Sequence, residues 1–208
     1  MKRMITAAAV AAGSLALLGG ALVAGGAPAL ALPTTNQAWG ADATGTITLS
    51  PVALATPSFN PAVASNANIP GLLSTTTITD RASTGGAEAR VNGPTVLTLP
   101  GNGSLLTLPA NNSLTTSGLR SWCEVDGSDV YGGATIFSGA IMQIGYTTIA
   151  LPQKPAPNTV ITLPNSAGTI TLNYQNTTAG LHTFEAIQAV LGGQTVDLGV
   201  SQCFHGVS

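Results

Sequence analysis

Apolar residues recur at alternate positions through most of the chain, the period of a strand with one face turned to a core. The clearest case spans residues 158–175. Two runs, Thr-Val-Ile-Thr-Leu-Pro from Thr159 and Thr-Ile-Thr-Leu-Asn-Tyr-Gln from Thr169, flank the turn quartet Asn165-Ser166-Ala167-Gly168, which predicts an antiparallel hairpin. A weaker copy lies upstream, where residues 95–100 and 104–109 flank Gly101-Asn102-Gly103. One unit used twice predicts two related halves, at about residues 38–120 and 121–208.

The remaining runs fit between these hairpins. In residues 43–54, Ile47, Leu49, Val52 and Leu54 alternate with Thr and Ser until Pro51 shifts the phase, as at an edge strand or bulge. Residues 55–70 carry Pro57, Pro61 and Pro70 and read as a loop. A strand over 71–80, a turn over 83–86 and a strand over 87–92 follow, the last placing Glu88 and Arg90 on one solvated face. Residues 110–117 read as a linker, 134–151 as the longest strand-like region with bends at Gly139 and Gly145, and 152–157 as a rigid proline connector. In 181–191, Leu181, Phe184, Ile187 and Leu191 also fit helical spacing. The adjacent Gly192-Gly193 turn and the strand from Thr195 to Cys203 assign it to a hairpin arm. About ten strands result, in an all-β antiparallel sandwich or barrel-like domain built from two related halves.

The N-terminus is of another kind. Lys2 and Arg3 open it, no further charge precedes Asp42, and Ala29-Leu30-Ala31 has the small-x-small pattern of a signal-peptidase site. Residues 1–31 are therefore read as a signal-peptide helix, cleaved between Ala31 and Leu32. Residues 32–37 form a short polar entry, and 38–208 a single exported domain. Removing 31 of 208 residues leaves 177, a length suited to one core.

Cleavage also changes the charge. The chain has 6 basic and 8 acidic residues, so losing Lys2 and Arg3 leaves 4 against 8, a net charge of −4. That composition argues against nucleic acid as a partner, and nothing after the signal would hold the chain in a membrane. Thr, Ser and Asn must cover the surface, as in exported β-proteins. Cys123 and Cys203 both follow the cleavage site, and in an oxidising compartment an even pair reads as a disulfide.

Candidate chemistry is sparse. Glu124, Asp126 and Asp129 crowd one turn, but they lack the ligand spacing of a calcium loop and Asp126-Gly127 is an ordinary turn pair. The chain has no Gly-x-Ser-x-Gly elbow and no phosphate loop, and His182 and His205 are too few to build a zinc site. Neither catalytic residues nor a metal or cofactor is assigned. Most of the rings of Trp39, Trp122, Tyr131, Phe137, Tyr146, Tyr174 and Phe184 are read as core, whereas two or three exposed in line would mark a sugar binder.

Several short motifs carry a resemblance. They are Ile69-Pro70-Gly71-Leu72-Leu73 before a Thr-rich strand, Cys123 opening the second half, and Pro155-Ala156-Pro157-Asn158-Thr159 before Ile161-Thr162-Leu163-Pro164. Gly168-Thr169-Ile170-Thr171-Leu172-Asn173 and a final strand ending at Cys203 complete the set. In these, across residues 38–205, the chain resembles the actinobacterial exported choice-of-anchor P family. The resemblance implies an exported, surface-reaching protein and supplies no catalytic residues. Its members use different C-terminal anchors, yet Phe204-His205-Gly206-Val207-Ser208 is neither apolar nor basic enough to serve as one. The expectation is a non-enzymatic secreted or surface-associated envelope protein, adhesive or structural, with a polysaccharide- or ligand-binding module as the alternative. Its partners would be envelope or extracellular polymers, or further copies paired through strand edges.

Overall fold

The computed structural model describes residues 34–65, 67–99, 103–108, 118–136, 140–144 and 147–205. The expected signal segment with its Ala31–Leu32 cleavage site, the expected 110–117 linker and bends at Gly139 and Gly145, and the Phe137 and Tyr146 rings lie outside these residues. Residues 32–208 form one compact unit.

The described chain is all-β. In order come β1 (Gln37–Thr44), β2 (Leu49–Val52), β3 (Ala62–Ala64), β4 (Asn68–Ile69), β5 (Leu73–Ser74) and β6 (Ile78–Ser83). Next are β7 (Gly86–Val91), β8 (Thr95–Leu99), β9 (Gly103–Leu108), β10 (Leu119–Asp126) and β11 (Asp129–Ile136). The chain continues with β12 (Ile141–Ile144), β13 (Thr147–Ala150), β14 (Thr159–Thr162), a 3-10 turn at Pro164–Ser166, β15 (Gly168–Thr178), β16 (Leu181–Leu191) and β17 (Gln194–Phe204).

These strands make three antiparallel sheets in a sandwich. The first runs β14-β15-β16-β17-β1-β2, the second β11-β10-β7-β6-β3, and the third β13-β12-β9-β8-β5-β4. The orders of the second and third correspond: β3 continues into β4, β5 into β6, β7 into β8, β9 into β10, and β11 into β12. The two are one layer broken across its strands, and the first sheet packs β1, β16 and β17 against β6, β7, β10 and β11 of the second. All three sheets draw strands from both sides of residue 120.

The break explains why about ten expected runs become seventeen strands. Residues 71–80 divide into β5 and β6, and 134–151 into the end of β11 and strands β12 and β13, so the longest strands are β15, β16 and β17 at 11 residues each. At the break, the Thr76 hydroxyl donates to the Asn92 and Gly93 carbonyls at 3.0 and 2.9 Å, replacing ladder bonds. The 55–70 loop expectation is likewise corrected, since β3 and β4 lie within it and pair with β6 and β5. Strands of two or three residues are too short to show a period and are held by their neighbours.

Other expectations are met. Residues 158–175 and 95–108 form antiparallel hairpins. Pro51 sits in β2, an edge strand whose register with β1 shifts between Ala41 and Ala43. Residues 181–191 are a strand, and their helical spacing has a local cause. Ala186 lies in register between Asn173 (φ 51) and Gly199 (φ 62), both left-handed, and the alternation slips there so that Phe184 and Ile187 both face inward.

The core has two parts. The larger holds Ile78, Leu97, Leu106, Leu119, Met142, Ile187 and Leu198, drawn from all three sheets. The smaller is nearly all alanine: Ala38, Ala55, Ala62, Ala82, Ala87 and Ala89 surround Phe184 and the Cys123–Cys203 disulfide. There the layers approach so closely that a Cβ on Gly132 would meet the Phe184 ring at 2.7 Å. The disulfide links β10 to β17, and so the two layers, across a sequence separation of 80.

Candidate functional site

The inner face of the second sheet is filled by Ala82, Ala87, Ala89, Ser121 and Cys123, so strand alternation sends the intervening residues outward. Register then aligns residues distant in sequence. Thr79, Arg90, Arg120 and Thr135 form one row across β6, β7, β10 and β11, and Arg81, Glu88, Trp122 and Gly133 form the next. Three of the four cations that follow residue 31 thus share one open face.

Their geometry centres on Glu88. The Nε–H groups of Arg90 and Arg120 both donate to its Oε1, at 2.6 and 2.5 Å. The other guanidinium N–H groups of these two arginines find no partner among the described residues, and Arg81 is exposed without any ion pair or hydrogen bond there. Single carboxylates normally satisfy one guanidinium in a bidentate fork, so this face holds unspent donor capacity. A depression of about 490 Å³ opens on Arg81, Glu88, Arg120, Trp122, Glu124 and Asn60, and a second of about 200 Å³ shares Arg81 and Glu88 and adds Arg90.

Two rings border the charge. Trp122 is half-buried, and Tyr131, 53% exposed, lies diagonally across from it because Gly133 faces Trp122 and Glu124 faces Tyr131. Tyr131 also fronts a depression of about 560 Å³ with His182, Gln175, Asn176 and Thr177. Trp39 and Phe184 are buried, as expected of core rings, and Tyr174 is half-buried on the first sheet.

The first sheet holds a second ionisable group of residues. Asp42, Asp197 and Gln188 share a row across β1, β17 and β16, and Gln188 Nε2 donates to Glu185 Oε2 at 3.2 Å. Glu185 is only 6% exposed. Burial first, and then the Asp197 charge, pushes its carboxyl well above the usual range. Asp197 is raised by burial and by Asp42; Asp42 is raised by burial, opposed by the Trp39 indole N–H donating at 2.6 Å. This is a row of acidic side chains on the first sheet whose carboxyls burial pushes upward, with the Trp39 indole bonded to Asp42.

The acidic turn is a tight β10–β11 hairpin with Asp126 opposite Asp129 and Gly127 at φ 60. Among the described residues no three His, Cys, Asp or Glu side chains are grouped to hold a metal. His182 Nδ1 lies 3.1 Å from the Thr177 hydroxyl, its pKa lowered by burial and by His205, and no acid side chain orients its ring. The polar entry is more structural than its composition suggests. Asn36 is buried, donating to the Ser83 and Thr84 carbonyls at 2.8 and 3.1 Å and accepting from Phe204 N at 2.9 Å.

The arginine face and the buried acid row escaped the sequence reading. Glu88 and Arg90 were visible as a solvated pair, but Arg81 and Arg120 join them only through the registers of β6 and β10. No protein family, curated protein or solved structure matches the chain.

Proposed function

We propose that the protein is a non-enzymatic, exported component of the bacterial envelope, secreted or associated with the cell surface, with an adhesive or structural role. The observation that carries this reading is the disulfide between Cys123 and Cys203, which joins the two layers inside the alanine core. Such a bond persists in oxidising compartments and is reduced in a cytosol. The signal-like N-terminus and the resemblance to the choice-of-anchor P family support the same location. The lack of catalysis is supported by His182, whose ring contact among the described residues is a threonine hydroxyl rather than an orienting acid.

Fractionation of the producing culture, with intact mass in each fraction, tests this. The expected result is a chain beginning at Leu32, with both cysteines oxidised, in the wall or the medium. Retention in the membrane at precursor mass, or two free thiols, would overturn it. A second reading, a binding module for extracellular polysaccharide, is favoured by the arginine face with Trp122 and Tyr131 at its side.

A further inference from the structure

We infer that the open face of the second sheet binds a carboxylated polysaccharide, with Arg81, Arg90 and Arg120 receiving the carboxylates and Trp122 and Tyr131 stacking against sugar rings. This names the ligand class for the polysaccharide-binding reading and rests on it.

The charge argument comes first. The chain beyond residue 31 has net charge −4, yet three of its four cations stand on this one face within two adjacent rows. A lone Glu88 answers two of them through a single oxygen. Repulsion among three guanidiniums is a cost to the fold that one shared carboxylate only partly relieves, and an anionic ligand would relieve the rest. Guanidinium forks match planar carboxylates in bidentate fashion, which spaced arginines offer and a single lysine does not.

The remaining lining selects a sugar over a bare polyanion. Glu124 borders the larger depression beside Trp122, and Asn60 and Ser83 complete its polar wall. Sugar hydroxyls donate to acceptors such as Glu88 and Glu124, whereas a phosphate backbone brings only acceptors and has no use for them. Trp122 and Tyr131 add apolar ring faces at diagonal positions, suited to the C–H faces of successive sugars. The two depressions are neighbours that share Arg81 and Glu88 in their linings, on the face made by β10, β7 and β6. The first sheet packs on the opposite side of this layer, so the face is open to solvent.

Affinity electrophoresis of the mature, disulfide-intact protein tests the assignment, using polygalacturonate, its methyl-esterified form, dextran and duplex DNA as probes. Polygalacturonate should retard the protein, with the retardation weakening as salt is raised. Arg81→Gln should weaken binding about tenfold, the weight of a charge-assisted hydrogen bond. Arg81 has no protein partner among the described residues, so this variant should keep the parental melting temperature. Trp122→Ala should weaken binding as well, and Lys154→Gln, with the same charge change elsewhere, should not. Equal binding of the acid and esterified polymers would overturn the carboxylate assignment while leaving the polysaccharide reading standing. DNA binding as tight as polygalacturonate, or an equal loss in Lys154→Gln, would overturn it in favour of bulk charge. Binding to none of the probes would overturn both the assignment and the polysaccharide reading.

Discussion

Replacing Asp80 with asparagine should stabilise the protein at neutral pH and flatten its dependence on pH. Asp80 projects inward from β6 between the layers and is fully buried, at 0% exposure. Its Oδ1 accepts the Arg90 backbone N–H at 3.0 Å, and Gly40 supplies a second backbone bond, but Oδ2 has no partner among the described residues. Burial outweighs these bonds and lifts the pKa from 3.8 to about 8. Below 3.8 the folded and unfolded chains both hold the proton, and the full stability is present. As pH rises, the unfolded chain gives up its proton while the folded one keeps it. Stability then falls by up to about 1.4 kcal/mol per pH unit until the folded group ionises near 8. At pH 7 the accumulated loss has an upper bound of about 4 kcal/mol, three pH units above the unfolded pKa. Asparagine keeps the Oδ1 acceptor and carries no charge. Urea denaturation of both proteins from pH 4.5 to 8.5 should show the variant gaining steadily on the parent as pH rises. Parallel curves would refute the reasoning, because they would mean that Asp80 is not the group being titrated.

Three further outcomes follow from the same geometry. Glu185→Gln should also gain stability relative to the parent as pH rises above about 4.5, read by the same titration, because burial raises Glu185 too. Cys123→Ala with Cys203→Ala should cost about 4 to 5 kcal/mol for an 80-residue loop in the chain-entropy model, seen as a lower calorimetric melting temperature; an unchanged temperature would deny the staple its role. Gly168→Ala should destabilise by about 2 kcal/mol or more in denaturant melts, since φ there is 139° and the new Cβ would sit 1.9 Å from the Val190 carbonyl oxygen.

Local signals found local structure. The Asn158–Gln175 hairpin, the Pro51 edge and the strand at 181–191 were legible because each is written in contiguous residues: alternating β-branched side chains, a turn quartet, a proline phase shift. The disulfide was legible from an even cysteine count beyond a signal-like N-terminal segment. Strands β3 and β4 were not, since two or three residues amid Pro and Asn show no period and depend on partners elsewhere in the chain. The broken layer was hidden for a related reason, because a run that changes sheet at Thr75–Thr77 looks like one strand with polar residues in it. The arginine face required two registers at once, β6 with β7 and β7 with β10, and a count of cations says how many there are without saying where they meet. The acid group was hidden because Asp42, Glu185 and Asp197 come from three strands, and Glu185 sits where carboxylates are ordinarily excluded.

The position of the disulfide also governs how the domain would carry mechanical load. β17 lies between β16 and β1, and tension applied to the chain beyond Phe204 would open its ladder one pair at a time, the weak mode of an antiparallel sheet. Cys203 is one residue from that end. The covalent link stops the opening almost where it starts and passes the tension to Cys123, midway along β10, which β7 and β11 grip on either side. Unzipping is thereby converted into a pull on the middle of the second layer. Under such a load, one sulfur–sulfur bond would decide whether the domain extends or holds.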